Sequence, residues 1–150
     1  MAACTLTIVQ QFHLNAPPKA VYEALTTPRG LARWFLESAE IDPTAGREYT
    51  FTWHGGYHHT GRVLAAVPGR RLVLAWPNRL GRTTKTTVVA FTLRKKGRGT
   101  LLTLRHEGYP RSGGWLEVDG STQSGWAYFL TNLKSVLATG RDLRSDDDAV

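Results

Sequence analysis

Hydrophobic and polar residues alternate along most of the chain, a pattern typical of antiparallel strands with one buried face. The alternation begins in residues 5–14, where Leu6, Ile8, Phe12 and Leu14 are apolar. It resumes after two proline-led segments and predicts six further strands, at residues 36–41, 47–53, 58–67, 71–76, 84–95 and 100–109. Short turns rich in Gly, Pro, Asn and Asp separate these six strands, so we expect a meander of antiparallel hairpins.

Helical spacing replaces the alternation in two places. Between the first two strands, Pro17 and the Thr27–Pro28 pair suit the first turns of two short helices. Near the end of the chain, one helical face would carry Trp126, Phe129, Leu130, Leu133, Val136 and Leu137. Asp119 or Ser121 is expected to begin this long helix, and Gly140 to end it.

One face of the expected sheet is apolar, whereas the other is largely Thr, Arg, Glu and Lys. The inward positions are Tyr49, Phe51, Trp53, Val63, Ala65, Val67, Leu72, Leu74, Trp76, Val89, Phe91, Leu93, Leu102, Leu104 and His106. An antiparallel sheet with one apolar face needs a cover on that face, and the C-terminal helix is the candidate. The sequence therefore predicts an α+β fold.

Several short motifs accompany this order of elements. They are Asn15-Ala-Pro-Pro-Lys-Ala-Val-Tyr-Glu-Ala-Leu-Thr, Leu31-Ala-Arg-Trp-Phe, Gly61-Arg-Val-Leu, Pro68-Gly-Arg-Arg-Leu-Val-Leu-Ala-Trp76, Gly99-Thr-Leu-Leu-Thr-Leu and Gly125-Trp126. Together they resemble the SRPBCC or START-like superfamily, and within it the activator of heat-shock-protein-90 ATPase homologue branch. The resemblance implies a helix-grip fold, in which a curved antiparallel sheet wraps around a long C-terminal helix. It also implies an apolar pocket between sheet and helix for lipids, polyketides or similar molecules.

The alternation and the resemblance together define a candidate ligand-binding site. We expect its side chains to be Trp34, Tyr49, Phe51, Trp53, His59, Val63, Leu74, Trp76, Phe91, Leu104, His106, Trp126, Phe129, Leu130 and Leu133. The alternative is a solid core, because a small domain needs large side chains at the same positions.

Three histidines, His54, His58 and His59, lie around one turn and invite a metal interpretation. Adjacent strand residues point to opposite faces, so at most one of His58 and His59 can enter a pocket. No Asp, Glu or Cys nearby completes a zinc set. We therefore expect no metal, with His59 pointing inward and His58 solvated.

Catalytic residues are not evident. An inward-facing His106 is either a hydrogen-bonded core residue or a polar anchor for a ligand. A general acid or base in the pocket would be His59 or His106, with Tyr49 or Tyr128 as a hydrogen-bond donor, but both histidines are weak candidates. No nucleophile with an adjacent base and no phosphate-binding glycine loop is present, so no cofactor is expected.

Composition limits the remaining possibilities. The 150 residues, 41% of them hydrophobic, suit one domain over residues 1–150, with an ordered core at about 5–143 and a disordered tail at 144–150. A single cysteine, Cys4, forms no internal disulfide, and no signal or membrane-spanning segment is recognisable, so a cytoplasmic protein is expected. The excess of Arg over Lys is typical of a GC-rich bacterial genome.

The charge raises a question of partners. The chain has 19 Lys and Arg against 12 Asp and Glu, a formal charge of +7. Most basic residues stand singly or in pairs, which makes nucleic-acid binding unlikely. In a meander alternate turns share an edge, so we expect a basic rim formed by Arg47, Arg70, Arg71, Arg94, Lys95, Lys96 and Arg98.

The sequence thus favours a monomer or homodimer that binds a hydrophobic small molecule without catalysis. One alternative is a cyclase or hydrolase that uses the same pocket. The other is a chaperone-linked interaction module of the stress response, for which the basic rim or an exposed sheet edge would matter more than the pocket.

Overall fold

A computed structural model of the chain describes residues 5–144 and has the α+β helix-grip architecture that the sequence predicts. Seven strands and three helices follow in the order β1 (Thr5–Leu14), α1 (Pro18–Thr26), α2 (Pro28–Trp34), β2 (Ser38–Glu40), β3 (Glu48–Thr52), β4 (His58–Val67), β5 (Arg71–Leu80), β6 (Thr83–Lys96), β7 (Gly99–Pro110) and α3 (Trp115–Thr139). No helix among these residues is long and apolar enough to cross a membrane.

The strands form one antiparallel sheet in the order β1-β7-β6-β5-β4-β3-β2. The expected meander is confirmed, and β1 adds to its far side by pairing with β7, with Ile8 opposite His106. Successive turns of the meander therefore lie at opposite ends of the sheet. The β3–β4 and β5–β6 turns lie at one end of the sheet, and the β4–β5 and β6–β7 turns lie at the other.

The turn expected at residues 77–82 is shorter than the sequence suggests. β5 continues through Pro77 to Leu80, and only Gly81 and Arg82 connect it to β6. Proline is tolerated within a strand where its missing N–H needs no partner. Here the pairing of β5 with β4 stops at Leu74, whereas its pairing with β6 continues to Leu80.

A second difference lies in β4. Val63 pairs with Leu74 but Ala65 pairs with Val73, so a bulge at Leu64 shifts the register. Because a one-residue shift reverses the faces of a strand, the prediction that Ala65 and Val67 point inward is wrong. Ala66 packs against the core instead, and Val67 is 45% exposed.

The long helix also begins earlier than expected, at Trp115 rather than near Asp119 or Ser121. Trp115 packs with Ile8 and Tyr109, and this burial holds a first turn that has no side-chain cap. Asp119 lies buried within the helix. Gly140 ends the helix as predicted, with a left-handed φ of 77° that a residue without a Cβ adopts readily.

The core lies between the sheet and the apolar stripe of α3. The stripe residues Trp126, Leu130, Leu133 and Val136 are no more than 4% exposed, and Phe129 and Leu137 are partly buried. The helical spacing predicted from the sequence is therefore confirmed. α1 and α2 close the remaining side through Val21, Leu25, Leu31 and Trp34.

A buried arginine fastens the end of the chain to α2. The sequence places Arg144 at the start of a disordered tail, yet its side chain donates to the carbonyl oxygens of Ala32 at 2.8 Å and Leu36 at 3.2 Å. It also pairs with Asp142 at 3.0 Å, and Asn132 binds Asp142. The other tail residues, 145–150, and Cys4 lie outside the described residues.

Replacing Arg144 by Ala should lower the free energy of unfolding by about 1–3 kcal/mol, because the carbonyls of Ala32 and Leu36 lose the guanidinium donor and Asp142 loses its ion pair. Urea unfolding measures the change. The exposed neighbour Arg141→Ala is the matched control and should change stability by less than about 0.5 kcal/mol. Equal losses in both variants would contradict a fastening role for Arg144.

Candidate functional site

A cleft of about 360 Å³ opens to solvent between the first half of α3 and the sheet end that carries the β3–β4 and β5–β6 turns. Its walls come from the residue that follows α2, from the β3–β4 turn, from the strands β4, β5 and β7, and from α3. The lining residues are Phe35, Trp53, Tyr57, His59, Trp76, Asn78, Tyr109, Ser121, Thr122, Gly125, Trp126 and Phe129. Seven of these twelve residues are Phe, Trp or Tyr, so the walls of the cleft are mainly aromatic.

Aromatic rings contact one another around the cleft. His59 lies over Trp76 with ring centroids 4.0 Å apart, and Trp76 contacts Trp126 at 5.6 Å. Phe35 meets Phe129 edge to face at 4.9 Å. Such rings offer a large apolar surface with a fixed geometry, which suits a flat or compact apolar molecule.

Five of the fifteen residues expected at the ligand site line this cleft: Trp53, His59, Trp76, Trp126 and Phe129. Tyr49 and His106 lie behind its wall, hydrogen-bonded to His59 and Trp126 respectively. The others, Trp34, Phe51, Val63, Leu74, Phe91, Leu104, Leu130 and Leu133, belong to the buried core. An internal void between sheet and helix measures only about 10 Å³, so side chains fill the deep part of the expected pocket.

The cleft also contains residues that the sequence did not identify: Phe35, Tyr57, Asn78, Tyr109, Ser121, Thr122 and Gly125. Asn78 and Tyr57 were assigned to turns, whose side chains have no predictable direction. For α3 a signal did exist. Stepping back from Trp126 at helical spacing reaches Thr122, Asp119 and Trp115, and so extends the same face to the true start of the helix.

His106 is a fully hydrogen-bonded core residue. Trp126 Nε1 donates to its Nδ1 at 3.0 Å, so the ring proton is on Nε2, which lies 2.7 Å from Thr87 Oγ1. Burial, reinforced by the nearby His59, lowers the pKa of His106 to about 3. Because both ring nitrogens are occupied and the ring is neutral, His106 holds the cleft wall in place.

A polar chain continues from Thr87 to the cleft floor. Asn78 Nδ2 donates to Thr87 Oγ1 at 3.0 Å, and Tyr109 donates its hydroxyl proton to Asn78 Oδ1 at 2.9 Å. The same Tyr109 oxygen lies 3.2 Å from the hydroxyl of Thr122 on α3. Burial raises the pKa of Tyr109, so this hydroxyl stays protonated and links α3 to β5.

His59 presents an acceptor to the cleft. Tyr49 donates its hydroxyl proton to the Ala75 carbonyl at 2.6 Å, so the 3.1 Å contact between His59 Nε2 and the Tyr49 oxygen requires the proton on Nε2. Burial lowers the pKa of His59 to about 4 and keeps the ring neutral. Nδ1 has no hydrogen-bond partner in residues 5–144 and can accept a hydrogen bond from a donor group on a ligand. His58, as predicted, is exposed on the opposite face.

The remaining sequence candidates lie elsewhere. Tyr128 is 42% exposed and does not line the cleft. Within residues 5–144 no three His, Cys, Asp or Glu side chains come together in a way that could hold a metal ion.

Comparisons with known proteins agree with the fold. Residues 15–138 match the family model described as Activator of Hsp90 ATPase homolog 1-like protein. The chain is similar to protein MLL2253 from Mesorhizobium loti, with 25% identity, a TM-score of 0.79 and coverage of 88% of this chain and 96% of that one. It also resembles the Aha1 dimer from Colwellia psychrerythraea, at 22% identity, a TM-score of 0.79 and 91% and 98% coverage.

A third similar structure is DynU16, from the dynemicin biosynthetic locus, with 24% identity and a TM-score of 0.76. The match covers 90% of this chain but 48% of DynU16. No curated protein matches the sequence. The family resemblance seen in the motifs is confirmed by the family model and by these folds.

Proposed function

The chain belongs to the family described as Activator of Hsp90 ATPase homolog 1-like protein, and from this premise and the cleft geometry we propose that it binds a hydrophobic small molecule of lipid or polyketide type. The observation that carries the proposal is an open cleft of about 360 Å³ with mainly aromatic walls. Ligand pockets of about 300–1,000 Å³ are commonly apolar with a few fixed polar groups. The location of DynU16 in a biosynthetic locus supports a small-molecule role.

The cleft also supports a description of the ligand. Its apolar body would lie against Trp53, Trp76 and Phe129, and a hydroxyl or amide N–H would donate to His59 Nδ1. The ligand would occupy the cleft mouth, since the inner void of about 10 Å³ accepts no part of it. A long straight acyl chain is therefore a poorer fit than a compact ring system.

Binding fits the polar groups better than catalysis does. Both ring nitrogens of His106 and the proton of Tyr49 are already engaged, so neither residue is free to exchange a proton with a ligand. His59 alone offers a free ring nitrogen to the cleft. A cyclase or hydrolase would have to rely on this neutral imidazole, and loss of turnover in His59→Gln would reveal such an enzyme.

Native mass spectrometry of the purified protein, followed by organic extraction, tests the proposal directly. We expect an apolar compound in the extract, or uptake of the neutral fluorescent probe N-phenyl-1-naphthylamine by protein that carries no compound. Three tryptophans line the cleft, so bound probe should also accept energy from their emission. Protein that carries nothing and takes up no probe would overturn the proposal.

A pair of neighbouring aromatic residues on α3 locates the binding site. Phe129→Ala should weaken probe binding by about tenfold or more, because a buried ring contributes about 1.5–3 kcal/mol of apolar contact. Tyr128→Ala removes a ring just outside the cleft and should leave the affinity within about twofold. Fluorescence titration measures both variants, and an equal loss in each would place the probe elsewhere.

A further inference from the structure

The sheet end opposite the cleft carries a cluster of cations that we name the basic end. It consists of Arg70 in the β4–β5 turn and Arg71 at the start of β5, with Arg94, Lys95 and Lys96 at the end of β6 and Arg98 in the β6–β7 turn. All six are exposed. The two turns are held together, because the amide of Leu93 donates to the Arg70 carbonyl at 2.8 Å. The basic end is thus a fixed surface built on paired strands.

This cluster accounts for most of the chain's surplus charge. It contains six of the 19 Lys and Arg, and the other 13 nearly balance the 12 Asp and Glu. No acidic residue occurs in residues 67–71 or 92–101. None of the six forms an ion pair within residues 5–144, where the pairs are Arg47–Asp42, Arg105–Glu107 and Arg144–Asp142.

Arg47, the seventh residue of the rim expected from the sequence, does not belong to the basic end. Its carbonyl accepts the amide of Val63 at 2.8 Å, which places it beside the middle of β4. Its side chain already pairs with Asp42 at 3.6 Å. The surplus charge therefore lies in the β4–β5 and β6–β7 turns and in the strand residues next to them.

We propose that the basic end is the docking surface for an acidic segment of a partner protein. Neighbouring strands are about 4.8 Å apart, so the two turns lie about 10 Å apart, a span that a few carboxylates on one loop or peptide can cover. Four of the six cations are arginines, and the planar guanidinium group of an arginine can bind one carboxylate through two parallel hydrogen bonds. Such complementarity would steer the partner to this end and speed its association.

The surroundings of the cluster favour a protein over a nucleic acid or a bilayer. Residues 67–71 and 92–101 contain no aromatic side chain on which a base could stack. Val67 is the one exposed large hydrophobic residue in these segments, which gives a bilayer little apolar surface to bind.

Docking at this end leaves the cleft accessible. The cleft is bordered by the β3–β4 and β5–β6 turns, whereas the basic end is formed by the β4–β5 and β6–β7 turns at the other end of the strands. A partner on the basic end would not obstruct ligand exchange. The two activities can therefore be tested separately.

The test uses a fluorescein-labelled oligoglutamate peptide, with binding followed by fluorescence anisotropy at low and physiological salt. Arg70→Glu with Arg71→Glu should weaken peptide binding by about tenfold and reduce its salt dependence, because two attractive contacts become repulsive. The matched control, Arg79→Glu with Arg82→Glu, makes the same charge change at the cleft end and should alter binding by less than about twofold. Thermal unfolding checks the fold, and Arg70→Gln with Arg71→Gln should give a smaller loss in the same direction.

Three results would overturn the proposal. If both double-Glu variants lost the same peptide affinity, binding would depend on the net charge of the protein rather than on the basic end. Unchanged binding in the Arg70 and Arg71 variants would remove the basic end from the contact. Tighter binding of a DNA duplex, or of vesicles containing phosphatidylserine, through the same two arginines would assign the surface to a nucleic acid or a membrane. Probe binding in the cleft should be unchanged in the Arg70 and Arg71 variants.

Discussion

Lowering the pH from 6.5 to 4 should destabilise the protein steeply, because His59 and His106 are held neutral in the fold. Burial lowers their pKa values to about 4 and about 3, from the ordinary value of 6.5. Below pH 6.5 the unfolded chain therefore binds protons that the folded chain does not. The stabilisation is complete above pH 6.5 and is lost as the pH falls towards 4 for His59 and 3 for His106.

The magnitude follows from the number of protons. For each histidine, the free energy of unfolding falls by about 1.4 kcal/mol for every pH unit below 6.5, down to its pKa in the fold. The two histidines together therefore give a slope of about 2.7 kcal/mol per pH unit. Asp142 acts in a lower range, because hydrogen bonds from Arg144 hold its pKa at about 2 against an ordinary 3.8. Its stabilising effect is lost only as the pH falls from about 4 towards 2, which leaves the histidine window distinct.

Urea unfolding at pH 7, 6 and 5 measures this slope. His106→Gln should remove about half of it, and His59→Gln the other half, whatever each substitution does to stability at pH 7. The slope is the informative quantity, because a purely structural loss would lower all three values equally. A slope that persists in both variants would mean that neither histidine is the buried neutral group.

Much of the fold was predictable because the alternation of apolar residues reports which strand face is buried. The inward phase of Phe51, Leu72 and Phe91 follows directly from it, as does the spacing of Trp126 and Leu130 on α3. The failures occurred where one local interaction overrides the pattern. The bulge in β4 depends on its register with β5, and a proline is acceptable within β5 only because the pairing with β4 has ended.

The candidate site was harder to predict than the fold. Alternation identifies inward residues but not whether the space between them is filled. Phe51 and Trp53 share a phase, yet Phe51 is 1% exposed in the core while Trp53 lines the cleft. The difference arises from the position of each residue along the strand, because the cleft lies only at the end of the sheet where α3 begins. Asn78 and Thr122 join it through hydrogen bonds to Tyr109, a contact between distant parts of the chain.

Replacing Trp126 by Ala should lower the free energy of unfolding by about 3–5 kcal/mol. The side chain is 4% exposed, contacts Phe35 and Phe91 at 5.4 and 5.6 Å between ring centroids, and donates to His106. Together with Phe35 and Trp76 it lines both the open cleft and the small internal void. Its removal should therefore connect the two spaces.

The connected cavity should accept the group that was removed, so free indole should raise the unfolding temperature of the Trp126→Ala variant. Indole should stabilise the variant more than 1-methylindole does, because only indole can donate a hydrogen bond to His106 Nδ1. Trp126→Phe is the matched control: it keeps an aromatic ring, leaves that nitrogen without a donor at a cost of about 1–3 kcal/mol, and has no space for indole. If indole stabilised both variants equally, or neither, Trp126 would not be the wall between cleft and core.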